Sequence, residues 1–225
     1  MSRFQVMDNL RDPASPVQRG FRSWLVDLLT VGVALLALVG AVAAGSGGAE
    51  VLLGWMMVAA VLDGLDGPLA RRWGVASEAG RRLDLMVDWV AFVLCPAVVL
   101  VDQEVGLWLA VLLVVGGAGR LVRAWGTRRL SPEFEGLAFP AAGLAVAASM
   151  GIGAEGIIVP AVAVGMVLPV SMRRLAGLGG VRLVVIAVVA GMAAASAQEQ
   201  VLHAGVLGGA IAYGVVGITL RRSRG

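Results

Sequence analysis

Eight apolar runs succeed one another along the chain, at 24–44, 51–70, 83–101, 105–125, 136–152, 157–172, 183–197 and 201–220, with brief glycine- and arginine-rich linkers between them. Most approach the ~20 residues an α-helix needs to cross a bilayer core, the fifth to seventh being shorter. Of the 225 residues 59% are hydrophobic and only 15% charged, so a water-soluble fold would leave more apolar surface than it could bury. The runs lack the strict alternation of a membrane β-barrel and predict helices. The expected fold class is therefore all-α: a polytopic integral membrane helical bundle of about eight transmembrane helices. The short linkers leave room for no separate soluble module, so residues 1–225 are expected to form a single membrane domain, with 1–22 as a cytoplasmic N-terminal segment.

Arginine positions test that layout. Arg3, Arg11, Arg19 and Arg22 precede the first run; Arg71, Arg72, Arg81 and Arg82 lie between the second and third. Arg120, Arg123, Arg128 and Arg129 lie at and after the end of the fourth, Arg173, Arg174 and Arg182 between the sixth and seventh, and Arg221, Arg222 and Arg224 after the eighth. The opposite linkers carry Glu50, Asp102, Glu104, Glu155 and Glu199 and no arginine. By the positive-inside rule the chain is expected to lie in the cytoplasmic membrane with both termini facing the cytoplasm. The basic residues punctuate spans and form no aromatic-interleaved surface, so no nucleic-acid partner is expected despite a pI near 10.3. Cys95 is expected to be a small core residue, and no cleaved leader is expected. Glycines such as Gly116, Gly117 and Gly119 suit close helix contact, within the chain or in a homodimer.

Carboxylates gather most densely in one stretch, DGLDGPLARRWGVASEAGRRLDLMVD from Asp63 to Asp88. A carboxylate at membrane depth costs at least about 2.5–3.5 kcal/mol, and four together repel one another unless cations intervene. Asp63 and Asp66 are three residues apart and share one helix face; Gly80, Asp84 and Asp88 form a stripe on the next helix. Oxygen ligands at this density favour magnesium or manganese over zinc. Gly67 and Ala70 remove bulk where a phosphate would approach, and Arg71 offers a fork of donors suited to it. Pro68 deletes a helical N–H, frees the Gly64 carbonyl and is expected to kink the span there. His203 is expected on the other side of the membrane.

The spacing D-x-x-D-G-x-x-A-R-x8-G-x-x-x-D-x-x-x-D is met by Asp63, Asp66, Gly67, Ala70, Arg71, Gly80, Asp84 and Asp88. It resembles the signature of the CDP-alcohol phosphotransferase (CDP-alcohol phosphatidyltransferase) family, membrane enzymes of phospholipid biosynthesis. The resemblance implies two divalent ions, Mg2+ or Mn2+, held by Asp63, Asp66 and Asp84 against the pyrophosphate of a CDP-diacylglycerol or CDP-archaeol donor. It implies Asp88 as general base toward the acceptor hydroxyl, with Asp84 able to share metal and base duties and Asp88 counted among the metal-site carboxylates. Asp63, Gly67, Ala70, Arg71 and Gly80 would shape the CDP pocket.

Flanking segments resemble most the type II phosphatidylserine synthases, which implies L-serine as acceptor: Phe92, Pro96 and Ala97 after Asp88, GRLVRAW at 119–125 and FEGLAFPAA at 134–142. Trp89 stands where members using glycerol phosphate or inositol phosphate usually have a basic residue. Arg120 and Arg123 are candidates for holding an acceptor carboxylate, or else anchor the cytoplasmic helix end. Ala124 and Trp125 replace the usual Phe-Asn, Ala138 a proline, Leu85 a serine, and Val26-Asp27 a frequent Pro-Asn. DGLDGPLAR also resembles phosphatidylcholine synthase, and Trp55, Trp73, Trp89, Phe92 and Trp125 are aromatic candidates for a choline cation. A divalent-cation transporter is the alternative from another class. It gives Gly67, Ala70, Arg71 and Gly80 no role.

Overall fold

The computed structural model describes residues 16–126, 133–168, 171–173 and 206. Helix α1 (Pro16–Arg72) starts on a proline, whose missing N–H is not needed in a first turn, and breaks at Gly48 (φ 76°, ψ −171°). A side chain would strain that backbone; glycine has none. Two contacts show what the break does. Thr30 Oγ1 lies 2.7 Å from Asp66 Oδ2, and a Cβ on Gly40 would meet Trp55 Cβ at 2.5 Å. Residues nearly equidistant from Gly48 thus face each other, so α1 is a hairpin of two antiparallel helical arms, each longer than the ~20 residues a bilayer requires. They correspond to the first two expected spans. Helical dihedrals continue through Pro68.

Gly74, at φ 66°, closes the second arm, with Val75 N–H donating to the Ala70 carbonyl at 3.0 Å. Ser77 then caps α2 (Glu78–Trp89), its Oγ accepting from Gly80 N–H at 3.0 Å. After α2 the backbone widens into a π-helical turn, Val90–Leu94, before α3 (Cys95–Asp102). The cause is Pro96: its ring has no N–H for the Phe92 carbonyl and would clash with it in a continuous α-helix. The remaining elements are α4 (Leu107–Gly126), β1 (Glu133–Glu135), α5 (Phe139–Met150), α6 (Glu155–Val167) and β2 (Ser171–Arg173).

Strands β1 and β2 pair antiparallel, Glu133 opposite Arg173 and Glu135 opposite Ser171. This ribbon corrects the expected run 157–172, which does not remain helical to its end. Leu168 precedes Pro169, and the residue before a proline is driven out of the α region; Leu168 has ψ 132°. The third span also differs, since α2 begins at Glu78 rather than 83.

Helix α5 is the axis of the described bundle. Its Phe139, Ala142, Ala145, Val146, Ala147 and Ala148 are all buried, and it touches both arms' helix, α2, the π turn, α3 and α6. A short helix that is apolar all round is at home in such a core. Outward residues are apolar too: Val42 is 74% exposed and Val122 72%, as lipid-facing residues should be. Gly143 of α5 permits a close approach of backbones, because a Cβ there would meet the Phe92 carbonyl oxygen at 2.7 Å and Phe92 Cβ at 2.8 Å. Gly143→Ala is therefore expected to overpack the core by about 1–3 kcal/mol, lowering the unfolding midpoint in detergent by several degrees. Gly54→Ala, with nothing within 4 Å of its new Cβ, is the control expected to leave it unchanged or raise it slightly, alanine being the better helix former.

Among the described residues three helices are long and apolar enough to cross a membrane, Val17–Arg72, Glu78–Asp102 and Leu107–Gly126, the first being the hairpin. Helices α5 and α6, of 12 and 13 residues, are shorter. The chain is a multi-pass membrane helical protein, but these elements do not establish the expected eight spans. Runs 183–197 and 201–220 and His203 lie outside the described residues, Val206 apart.

The two ends of the bundle differ in charge. Arg81 Nη1 donates to the Ala124 carbonyl at 3.2 Å, which puts Arg71, Arg72, Arg81, Arg82, Arg120 and Arg123 toward one end. Gln103 Nε2 reaches the Ala44 carbonyl at 3.5 Å, so the turn at Asp102–Glu104 shares the other end with Glu50 and the Gly48 break. Hydrogen bonds thus reproduce the separation of basic from acidic linkers seen in the sequence.

Candidate active site

The second arm of α1 and the start of α2 meet at the arginine-rich end, and each brings carboxylates. One oxygen from each of Asp63, Asp66 and Asp84 lies within 4.8 Å of the others. Asp88, one turn beyond Asp84 on α2, lies within hydrogen-bonding reach of Asp63. Its Oδ1 is buried and has no hydrogen-bond partner among the described residues. Carboxylates this close need a shared proton or an intervening cation.

These residues fit a divalent metal. The donors are all carboxylate oxygens, and oxygens bound to one ion at about 2.0–2.6 Å stand roughly 3–5 Å apart. The bare Asp88 oxygen adds a further acceptor at the edge of the cluster. Nitrogen and sulfur donors are absent from this group, which argues against a zinc site.

Around the carboxylates the backbone is thinned. Arg71 folds back along its own helix, and its Nη1 would lie 3.3 Å from a Cβ on Gly67; glycine leaves the guanidinium that path. Ala70 follows on the next turn, its carbonyl spent on the Gly74 closure. Gly80 faces the first arm, where a Cβ would lie 3.9 Å from Asp27 Oδ1 and 3.2 Å from Ser77 Oγ. The structure therefore brings Asp63, Asp66, Gly67, Ala70, Arg71, Gly80, Asp84 and Asp88 to one end of one helix hairpin and its successor.

Two residues of the first arm join them and were missed as site candidates. Thr30 is bonded to Asp66, and Asp27 faces Gly80. The available signal was a pair of polar residues three apart, on one face of an otherwise apolar span.

The arginines of α4 separate. Its register against α2 is set by two pairs: a Cβ on Gly117 would lie 3.1 Å from Trp89 Nε1, and Ala124 bonds Arg81 at 3.2 Å. Antiparallel counting between these pairs puts Arg120 at the depth of Asp84 and Asp88. Arg120 is only 4% exposed, with its guanidinium carbon 4.2 Å from the centroid of Phe139. Arg123 instead donates to the Met166 and Val167 carbonyls at the end of α6, the role of a helix-end clasp. Arg82 stacks on Trp125 at 5.3 Å and, with Arg81, pairs with Glu78 at 3.2 and 2.7 Å.

A model of the family described as CDP-alcohol phosphatidyltransferase matches residues 24–213, nearly the whole bundle and all of the carboxylate cluster. The chain belongs to the CDP-alcohol phosphatidyltransferase family. Among curated proteins it is 36% identical to a phosphatidylcholine synthase of Brucella melitensis over 80 residues, 34% of this chain and 29% of that one. The corresponding Agrobacterium fabrum protein is also 36% identical over 80 residues, 34% of this chain and 33% of that one. A CDP-diacylglycerol–serine O-phosphatidyltransferase of Helicobacter pylori is 35% identical over 101 residues, 41% of this chain and 43% of that protein. The matched stretch thus spans about a third of the phosphatidylcholine synthases' length, and under half of the serine enzyme's.

Proposed function

We propose that the chain transfers a phosphatidyl or archaetidyl group from a CDP-linked lipid to the hydroxyl of L-serine, releasing CMP. The observation that carries this reading is the trio of carboxylate oxygens within 4.8 Å, beside a buried Asp88 oxygen without a partner. Asp63, Asp66 and Asp84 would hold Mg2+ or Mn2+, two ions in all. Bound there, the metal supplies charge neutralisation for the donor pyrophosphate and the departing CMP. Asp63, Gly67, Ala70, Arg71 and Gly80 form the CDP pocket, with Arg71 donating to phosphate oxygens. Asp88 accepts the proton of the serine hydroxyl as its oxygen bonds to the lipid-side phosphorus and the bond to the CMP oxygen breaks. Asp84 shares these duties.

Arg120 supports an acceptor that carries a carboxylate. It is a buried cation at the depth of Asp84 and Asp88, while Arg123 is engaged by α6 carbonyls. Arg120 is our first candidate for the acceptor carboxylate, with Arg123, which clasps the end of α6, the second. Aromatic rings for a choline cation are mostly committed elsewhere: Phe92 is wholly buried, Trp125 lies under Arg82, and Trp55 packs on Gly40, toward the opposite end. Choline remains the second reading, favoured by the two phosphatidylcholine synthases above and by Trp89 beside Asp88. By the positive-inside rule the site faces the cytoplasm from the cytoplasmic membrane.

The test is CMP release by purified protein with CDP-diacylglycerol, or CDP-archaeol, and Mg2+ or Mn2+. Serine, choline, inositol phosphate and glycerol phosphate are offered in turn. Release is expected with serine and to vanish on chelation. Release with choline alone would overturn the serine assignment, and metal flux in liposomes without CMP release would favour a transporter.

A further inference from the structure

The first arm of α1 supplies none of the four clustered aspartates, yet it is bonded to one of them. Thr30 and Asp66, 4% and 5% exposed, meet through a contact of 2.7 Å between Oγ1 and Oδ2. The same hydroxyl lies 3.1 Å from the Val26 carbonyl, one turn back on its own helix. A hydroxyl has a single proton, and the shorter contact to a carboxylate claims it, since charge-assisted hydrogen bonds are the stronger kind. The Val26 carbonyl is then the alternative acceptor for that proton, and the branched Cβ of threonine limits the hydroxyl's rotation.

A carboxylate bonded at one oxygen cannot turn freely, and oriented ligands bind metal better than mobile ones. We infer that Thr30 is a positioning residue: it binds Asp66 Oδ2 and leaves the other oxygen of Asp66 to the divalent cation. This rests on the metal reading of the cluster proposed above. It also ties metal affinity to closure of the α1 hairpin, because donor and acceptor come from different arms.

The experiment measures Mn2+ binding to the full-length protein in detergent, without lipid donor, by the electron paramagnetic resonance signal of free Mn2+. Thr30→Val removes the hydroxyl at nearly constant shape, Thr30→Ser retains it, and Thr30→Ala is a second deletion should the valine variant fail to fold. Loss of the hydroxyl is expected to weaken Mn2+ binding by about 10–100-fold, the usual cost of losing an outer-shell partner. The Mn2+ concentration for half-maximal CMP release should rise in step, with turnover at saturating metal within a few-fold of wild type. Thr30→Ser should restore binding to within about threefold. Wild-type affinity in a folded Thr30→Val or Thr30→Ala protein would overturn the inference, as would equal losses in the serine and valine variants. Wild-type protein that binds no Mn2+ would overturn the metal reading itself, and this inference with it.

Discussion

Asp88→Asn is expected to slow CMP release by about 10²–10⁴-fold, the range over which a positioned general base acts, while Mn2+ and CDP binding stay within a few-fold of wild type. The amide matches the carboxylate in shape and keeps a hydrogen-bonding link toward Asp63, but it cannot take the proton of an acceptor hydroxyl. The bare, buried Oδ1 of Asp88 is the atom this substitution tests. The measurement pairs turnover at saturating donor with metal binding on the same preparation. A loss of binding equal to the loss of turnover would make Asp88 a metal ligand first and transfer the base duty to Asp84.

Asp66→Ala is expected to fail differently. It removes one of the three oxygens that stand within 4.8 Å of one another and leaves the Thr30 hydroxyl without its carboxylate. Metal and CDP affinity should fall together, by more than the ~100-fold an outer-shell change can cost. CMP release should be undetectable at millimolar Mn2+. Calorimetric titration with CDP, with and without Mn2+, checks it: CDP binding that survives at wild-type strength would show that the pyrophosphate is held by Arg71 and the backbone alone.

These two results would probe the part of the molecule that the sequence displays most openly. Asp63 with Asp66, and Asp84 with Asp88, are three and four residues apart, so helical periodicity alone puts each pair on one face. The Gly-rich break and the two arms beside it were equally visible as apolar length. What lay hidden depends on pairs distant in the chain. Thr30, three residues from Asp27, reads only as part of a polar pair in an apolar span until Asp66, 36 residues away, meets it. Arg120 and Arg123 look interchangeable until the Met166 and Val167 carbonyls claim one of them. The settings of Thr30 and Arg120 depend on such long-range contacts, whereas the aspartate spacing is local, which is why the latter was the more legible. The end of α6 is a different case: Pro169 announced it, and hydropathy masked the signal.

The break at Gly48 also sets a depth gauge. Thr30 and Asp66 are 36 residues apart with Gly48 midway, so the chain counts an equal number of residues down one arm and back up the other. One residue added to a single arm would slide the arms past each other by about 1.5 Å and turn one by about 100°, enough to carry the hydroxyl out of reach. Loops remote from the chemistry are ordinarily the places where length varies freely. Here the break at Gly48, remote from the carboxylates, joins two arms whose equal lengths the site cannot spare.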